Sequence, residues 1–421
     1  MRRAWRLAAL LALSLVVGCG GSSDGRTEVK MWSHAAGNPN EIKVTDKVIK
    51  EFNASQNKYR VKVEYFPQRA YNDAVVAAAM AGDTPCLLDM DGPVMPNWAW
   101  AKAIVPLDLP KSTTDRFLPS TLGKWDGKIY SVGYWDAALS IFARKSALEK
   151  AGVRIPTMSQ PWTREEFDQA LEAVQKTGGF KYPLNMAVAD LGEWYPYAYS
   201  PLLQSFGGDL IDRRTYKTAD GALNGPQAVA FGKWFQSLFS RDLASRTPSA
   251  GNIDFINGDV AMSWTGNWNA PAAIEKFKDD VLFLPAPDLG RGPKIGGASW
   301  QWGISAGCKK AEQRGAQEYI KYSLQDKYIA EYINATGNIP ATKQAAALTD
   351  AYKPGGRLAE MVDFSQKYAV IRPPTPAYAV ISNVFGRSLK DIVNGADVKS
   401  SLDKAVDQID FNIKANDNYG F

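Results

Sequence analysis

The sequence predicts an α/β protein with two hydrophobic cores. Near its start the chain alternates strand and helix, with strands at residues 28–32, 59–66 and 86–90 separated by helices at 40–52 and 71–81. This β-α-β-α-β order is typical of a parallel, doubly wound sheet. The chain has 421 residues, of which 45% are hydrophobic and 22% charged, so it is long enough to build a second core as well.

Hydrophobic periodicity supports each of these elements. Five residues lie on one face of the first helix at helical spacing: Ile42, Thr45, Val48, Ile49 and Phe52. The second strand alternates with period two at Val61, Val63 and Tyr65. The second helix is rich in alanine, and the third strand begins at Cys86 with an apolar run. The spacing therefore distinguishes the helices from the strands.

Further elements follow in the rest of the chain. Residues 124–134, which contain glycines at turn positions, are predicted to form a hairpin, and residues 137–144 are predicted to form an apolar strand. A capping box at Thr163 and Glu166 starts a helix over 164–176. Other helices are expected to start at Asn224-Gly-Pro226 and to occupy 311–334 and 398–414.

The N-terminus has the pattern of a secretory signal peptide over residues 1–18. Arg2, Arg3 and Arg6 precede an apolar run that is too short to span a membrane. The run ends in Val-Val-Gly-Cys19, which resembles a bacterial lipobox, and residues 19–27 then form a lipidated cysteine with a polar tether. We expect an extracytoplasmic protein, lipid-anchored to the bacterial cell membrane at the cell surface or in the periplasm. The alternative is ordinary secretion with a chance cysteine.

Charge gives no reason to expect nucleic acid as a partner. The whole chain has 49 Lys and Arg against 44 Asp and Glu, a net charge of +5. Removal of the signal peptide leaves only +2.

The chain has too few histidines for several classes of enzyme. His34 is the only histidine, so an H-E-x-x-H protease or a site with two histidine ligands is impossible. Residues 303–307 match the G-x-S-x-G motif of α/β-hydrolases, but that class needs a histidine after the serine. Paired carboxylates of the glycosidase type remain open, because the chain has many acidic residues.

A strand-to-helix turn at residues 260–271 is a candidate ligand site. Val260, Met262 and Trp264 alternate as strand residues, Gly266 and Asn267 break the strand, and residues 269–271 open a helix. Trp268 therefore lies at the carboxyl end of a strand, where α/β sheets bind their ligands.

Tryptophan is unusually frequent, and several of these residues fall at strand ends or breaks. Of the 13 tryptophans, 12 lie after the signal peptide. Those at ends or breaks are Trp32, Trp98, Trp100, Trp135, Trp194, Trp268, Trp300 and Trp302. Sugars have flat C–H faces that aromatic rings cover, while carboxylates and amides bind the hydroxyl rim. For Trp234 and Trp264, inside regular elements, core packing is the preferred interpretation.

The pattern Gly-Asp-Val-Ala-Met at residues 258–262, followed by Gly-Asn-Trp at 266–268, resembles the signature of extracellular solute-binding proteins that serve sugar-importing ABC transporters, the maltose-binding-like branch. The resemblance implies a two-lobe periplasmic-binding-protein fold of type II. Each lobe is expected to be an α/β sandwich around a mixed, mostly parallel sheet, with a hinge of crossing strands. It places residues 28–136 and 304–345 in the N-terminal lobe and residues 137–303 and 346–421 in the C-terminal lobe.

The same resemblance implies a set of ligand-binding residues. These are Trp32, His34, Asp91, Trp135, Asp136, Glu193, Tyr195, Asn267, Trp268, Trp300, Trp302, Arg372 and Tyr378. For Arg372, which precedes a proline-rich stretch, a solvated arginine on a rigid loop is an equal alternative. His34 is expected as a neutral hydrogen-bonding group at the rim of the site.

The resemblance also implies a disulfide between Cys86 and Cys308. In the family, the strand returning from the second lobe pairs antiparallel to the third strand of the first, so the start of one meets the end of the other. Two unpaired buried thiols are the alternative. Cys86 is a departure from many relatives, which have aspartate there.

The function implied is binding and delivery without a reaction or a cofactor. A saccharide, expected to be a di- or oligosaccharide, would bind between the lobes of a monomeric receptor and pass to the permease subunits of an ABC transporter. Two alternatives stay open. One is an exported carbohydrate-active enzyme; the other is the same fold with a peptide, a polyamine or a phosphorylated polyol as its ligand.

Overall fold

The computed structural model describes residues 25–297 and 300–420. The expected signal peptide, the expected lipidation site at Cys19 and most of the tether lie outside these residues.

The first third of the described chain contains most of one sheet and its covering helices. The strands are β1 (Thr27–Ala36), β2 (Tyr59–Pro67), β3 (Leu87–Asp91), β4 (Ile104–Val105), β5 (Leu122–Trp125), β6 (Lys128–Val132), β7 (Trp135–Asp136) and β8 (Leu139–Arg144). The helices are α1 (Pro39–Ser55), α2 (Gln68–Ala81), α3 (Met95–Trp100) and α4 (Lys111–Thr114). The predicted order of the first five elements is confirmed.

The middle of the chain is mainly helical. Its helices are α5 (Lys145–Lys150), α6 (Arg164–Lys176), α7 (Trp194–Phe206), α8 (Pro226–Ser240), α9 (Ile253–Asn257) and α10 (Ala270–Phe277). Its strands are β9 (Tyr182–Asn185), β10 (Val260–Gly266), β11 (Val281–Leu284), β12 (Ile295–Gly296) and β13 (Trp300–Ser305). The capping box of Thr163 and Glu166 is present at the start of α6, as predicted.

The last part of the chain adds helices to both lobes. It contains β14 (Ile339–Pro340), β15 (Ala369–Val370), α11 (Lys310–Ser323), α12 (Asp326–Thr336), α13 (Lys343–Ala347), α14 (Ala359–Tyr368), α15 (Tyr378–Val393) and α16 (Val398–Ala415). Helices α11 and α12 pack on β1 and α1, whereas α15 and α16 pack on α7 and α8. The chain therefore returns to the first lobe before it completes the second.

Two mixed sheets form the two lobes. The sheet of the first lobe has the order β2-β1-β3-β13-β6-β5, with β4 also paired to β13, and that of the second lobe has the order β11-β8-β10-β9. Within these sheets only β1 with β2, β1 with β3, and β9 with β10 are parallel. The expectation of mostly parallel sheets is therefore wrong, because β13 returns antiparallel to β3 and β8 runs antiparallel to both of its neighbours.

Strand β13 belongs wholly to the first lobe. Trp300 is opposite Asp91, and Ile304 is opposite Leu87. The expected lobe boundary between residues 303 and 304 thus falls inside this strand. Its antiparallel pairing with β3 matches the arrangement that the family resemblance implied.

The hinge combines short strands with a buried asparagine. Strands β7 and β14 pair antiparallel where the chain passes between the lobes. Asn267 lies beside them: its Oδ1 accepts from the backbone N–H of Ala138 at 2.9 Å, and its Nδ2 donates to the carbonyl of Gly337 at 2.8 Å. Asn267 therefore joins three chain segments at the hinge.

Within the part of the chain that the structure describes, no helix has the length and apolar character needed to cross a membrane.

The expected disulfide is present. It lies at the edge of the first sheet where β3 starts and β13 ends. Cys86 and Cys308 are bonded, with their Cα atoms 5.3 Å apart and 222 positions apart in sequence. A link across so long a segment restricts the unfolded chain more than the folded one.

Replacing both cysteines by serine should lower the free energy of unfolding by about 2–5 kcal/mol, since the unfolded chain regains its freedom. Urea unfolding of the double variant Cys86→Ser/Cys308→Ser measures the loss. Reducing agent should destabilise the original protein by a similar amount and leave the variant unchanged. Equal unfolding midpoints, or two free thiols under non-reducing conditions, would contradict the bond.

Candidate ligand-binding cleft

The candidate site lies where strand ends of the first lobe face the second lobe. Strands β1 and β3 end at residues 36 and 91, and the antiparallel β13 starts at residue 300 on the same edge. This edge carries Asp91 and Trp300 side by side, with His34 near them. The parallel pairing of β1 and β3 explains why residues far apart in sequence meet there.

Arg372 connects the two lobes through a buried ion cluster, which we call the Arg372 cluster. Its Nη1 and Nη2 donate to the two carboxylate oxygens of Asp91 at 2.8 and 2.9 Å. Nη1 also donates to Glu193 at 2.7 Å. Asp91 ends β3 of the first lobe, and Glu193 immediately precedes α7 of the second. The side chains of Arg372 and Asp91 are each only 5% exposed, so this is an interior ion pair.

Glu193 has further partners from α15. The hydroxyl of Tyr378 donates to its Oε2 at 2.5 Å, and Ser382 Oγ contacts its Oε1. Glu193 also precedes the first turn of α7, where unpaired backbone N–H groups favour negative charge. Side chains of α15 in the second lobe thus hold this carboxylate in the position where it binds Arg372.

The protonation states follow from burial and from the partner charges. Burial lowers the pKa of Arg372, but Asp91, Tyr378 and Glu193 outweigh that effect and raise it well above its ordinary value. Burial raises the pKa of Asp91, and the Arg372 guanidinium opposes the rise. Arg372 is therefore always charged, and its charge is matched by carboxylates already present in the protein.

An aromatic wall lies next to the Arg372 cluster. The ring of Trp268 is 6.3 Å from that of Trp194, edge to face, and 6.1 Å from that of Tyr197. The guanidinium of Arg372 lies 5.2 Å from the centre of the Tyr197 ring. Trp268 is 37% exposed, unlike most tryptophans of the protein, so part of its ring is open to a ligand.

The backbone beneath Trp268 requires glycine. A Cβ atom at Gly266 would lie 2.0 Å from the Trp268 ring, which is far below any allowed contact. The ring therefore lies directly over the Gly266 backbone. This explains the Gly-Asn-Trp order: glycine admits the ring, asparagine forms the hinge, and tryptophan faces outward.

His34 is not the open rim group that the sequence suggested. It is 6% exposed, and its ring stacks on Trp300 at 3.8 Å. Its Nδ1 lies 2.5 Å from a carboxylate oxygen of Asp89, and Nε2 is 3.6 Å from Glu41. Burial lowers its pKa, but the two carboxylates outweigh burial and raise the pKa above its ordinary value. The two carboxylates therefore favour the protonated ring over the neutral one.

The other expected ligand residues have different surroundings. Trp32 lies within β1 rather than after it; it is partly exposed and packs on Phe66 at 4.4 Å, so it remains accessible. Tyr195 is 1% exposed, and its hydroxyl donates to the carbonyl of Val188, which places it in the core of the second lobe. The structure therefore brings Trp32, but not Tyr195, to the surface.

The remaining four of the expected ligand residues are buried in packing or hinge positions. Trp135 and Trp302 are buried in the first lobe, where they stack near Tyr332 and Tyr134. Asp136 is fully buried and accepts hydrogen bonds from Ser120 and Ser365. Asn267 forms the hinge contacts described above. None of these side chains is open to the cleft in this conformation.

Sequence reasoning missed Tyr197 and left Trp194 unassigned. Both contact Trp268, and they are three positions apart on α7, so they share one face of that helix. Tyr195, which was selected instead, points to another side. Residues 195 and 197 lie about 200° apart around the helix, so a correct prediction would have needed to know which face of α7 packs in the core.

One group of potential metal ligands occurs among the described residues: Cys86, Cys308 and Glu312. Its two sulfur atoms are already bonded to each other, so they are unable to bind a metal as thiolates.

Comparison with known proteins agrees with this architecture. The maltose/maltodextrin-binding domain MalE from Bdellovibrio bacteriovorus, solved bound to maltotriose, superposes with a TM-score of 0.77 at 17% identity. That match covers 92% of this chain and 100% of the other. The type II two-lobe fold is thereby confirmed.

Two curated relatives match over most of their length. The sn-glycerol-3-phosphate-binding periplasmic protein UgpB of Agrobacterium fabrum is 25% identical over 97% of this chain and 97% of its own. An uncharacterized lipoprotein in the oleD 5'region of Streptomyces antibioticus is 25% identical over 82% of this chain and 78% of its own.

A family model described as bacterial extracellular solute-binding protein matches residues 47–360. The matched segment includes Asp91, Glu193 and Trp268 and spans well over half of the sequence. The chain therefore belongs to the family of bacterial extracellular solute-binding proteins.

Proposed function

We propose that this protein captures a neutral saccharide between its two lobes and delivers it to the permease of an ABC transporter. The observation that carries the proposal is the Arg372 cluster beside the exposed ring of Trp268. There the cationic side chain is already bound by two carboxylates, and an aromatic face is open next to it.

The chemistry of the cleft suits hydroxyl groups and sugar faces. Trp268 offers a flat apolar surface, and Glu193 is a carboxylate that is 25% exposed. Arg372 Nε and the hydroxyl of Tyr197 are buried polar atoms that lack a hydrogen-bond partner among the described residues. Such atoms are costly to leave unpaired, and the hydroxyl groups of a ligand bound between the lobes could satisfy them.

The same cluster argues against an anionic ligand, although relatives from several bacteria are named for binding sn-glycerol 3-phosphate. A phosphate needs a cation or a set of N–H donors that the protein has not already used. To recruit Arg372, it would have to displace Asp91 from a bidentate, buried ion pair and leave that carboxylate without its partner. A neutral ligand leaves the pair intact.

Arg372 also suggests how binding and lobe closure are coupled. Its bond to Glu193 lies within the second lobe, whereas its ion pair with Asp91 forms only when the two lobes are close together. A ligand that contacts both lobes would shift an open–closed equilibrium toward this closed arrangement. The hinge at Asn267 and the β7–β14 pair is where the chain would bend.

Delivery and anchoring complete the proposal. We assign Cys19 as the lipidated residue, which would hold the protein at the outer face of the cell membrane; a relative is itself named a lipoprotein. The proposed role has no catalytic step. Consumption of the bound sugar would instead favour an exported carbohydrate-active enzyme.

A thermal-shift screen of the chain from residue 19 should give a raised melting temperature with one class of neutral saccharide. Ligand that binds only the folded protein stabilises it, by about 2.7 kcal/mol at a hundredfold excess over Kd. The panel includes mono-, di- and oligosaccharides, peptides, polyamines and glycerol phosphates. A shift with charged ligands alone would overturn the saccharide assignment while keeping the family.

Trp268→Ala should weaken binding of that saccharide by on the order of 1–3 kcal/mol, because the ring loses its contact with the sugar face. Isothermal titration measures the change. Trp100→Ala is the matched control, since Trp100 is 39% exposed against 37% for Trp268 and packs beside Tyr419. Equal affinities in the two variants would remove Trp268 from the site.

Gly266→Ala should also weaken binding while leaving Trp268 in the sequence. The added Cβ would collide with the ring and push it out of position. Gly386→Ala in α15 is the control, because its new Cβ would make an ordinary 3.7 Å contact. Titration with the same sugar separates the two variants, and unchanged affinity in Gly266→Ala would show that the ring position does not matter.

A further inference from the structure

A basic groove lies on the first lobe at the sheet edge opposite the cleft. It has a volume of about 900 Å³ and is formed by the end of α1, the start of β2, strand β4 and the outer face of α11. The cleft lies at the carboxyl ends of β1 and β3, whereas the groove lies at the amino end of β2. Ligand binding in the cleft therefore leaves the groove free.

Cations outnumber carboxylates in the groove. Its charged side chains are Lys58, Lys310, Arg314, Lys321, Asp108 and Glu318. Lys321 lies 3.8 and 3.7 Å from the two carboxylates, so it is partly neutralised. Lys58, Lys310 and Arg314 are exposed, and none of the three forms an ion pair within the described part of the chain. These three cations are available to an anion.

The chain enters the fold directly beside this groove. The backbone N–H of Thr27, at the start of β1, donates to the carbonyl of Lys58 at 2.9 Å. Thr27 lies eight positions after Cys19, and even a fully extended chain of that length reaches only about 28 Å. If Cys19 carries acyl chains, the groove must therefore lie close to the membrane surface.

We propose that the groove binds the anionic headgroups of membrane lipids and so holds the anchored protein, between deliveries to the permease, with its cleft away from the membrane. This inference rests on the proposed lipidation of Cys19. Basic residues near an anionic membrane surface each gain roughly fivefold in binding, and the short tether adds a high effective concentration. The protein would then collect its ligand from the solvent side while docked.

Lysine protection in vesicles tests the proposal. Full-length lipoprotein, with its acyl mass verified on Cys19, is placed in vesicles of phosphatidylglycerol or of phosphatidylcholine and treated with a water-soluble acetylating ester. Peptide mass spectrometry then gives the modification rate of each lysine. Lys58 and Lys310 should react roughly fivefold more slowly on the anionic vesicles, while Lys390 and Lys404 of the second lobe react equally on both.

Two variants make the test specific. Lys58→Gln/Arg314→Gln should remove most of the protection of Lys310, and Lys390→Gln/Lys404→Gln, with the same net charge, should leave it unchanged. Raising the salt to about 1 M should abolish protection, since the screening length falls to about 3 Å.

Other outcomes overturn the proposal in distinguishable ways. Rates on both vesicles equal to those of the soluble chain from residue 19 would exclude headgroup binding. Rates slowed equally on both vesicles would mean that the groove is covered without any contribution from anionic headgroups, which also refutes the proposal. Protection by inorganic phosphate without vesicles would identify a site for free anions. Absence of the acyl mass would refute the anchor itself. A saccharide shift that persists in Lys58→Gln/Arg314→Gln would show that the cleft function stands independently of these results.

Discussion

The charge of Arg372 is the constraint on which the contact between the lobes depends. A guanidinium buried without partners would cost several kcal/mol, so it must have carboxylates beside it. One of them, Asp91, ends β3 in the first lobe, and the other, Glu193, precedes α7 in the second. Glu193 binds Arg372 from within the second lobe, so the bidentate pair with Asp91 is the part of the cluster that requires the two lobes to be close. That pair links lobe closure to the interior of the cleft.

Because β13 runs antiparallel to β3, it contributes contacts at both ends of the first sheet. At its start, Trp300 is brought beside Asp91 and stacks on His34, which supports the cleft. At its end, the same strand carries the chain to Cys308 and the disulfide to Cys86. One strand therefore fixes the aromatic support of the site and the covalent link at the opposite edge.

Local patterns in the sequence predicted much of the fold and less of the site. The capping box at Thr163 and the strand-turn-helix around Trp268 depend on neighbouring residues, so they were predicted correctly. The partners of Arg372 lie 281 and 179 positions away, and no local pattern specifies them. The choice of Tyr195 over Tyr197 failed because the packing of α7 on the second lobe decides which residue faces Trp268.

The direction of the parallel strands separates the two proposed functions, ligand capture and membrane contact. Strands β1 and β3 point their carboxyl ends at the cleft, where Trp268 and the Arg372 cluster lie. Their amino ends point the other way, toward the entry of the chain at Thr27, the disulfide and the basic groove. Because a rigid sheet lies between them, contact with a membrane at one edge need not disturb lobe movement at the other. A receptor built in this way can stay attached to a surface and still close around a ligand arriving from solution.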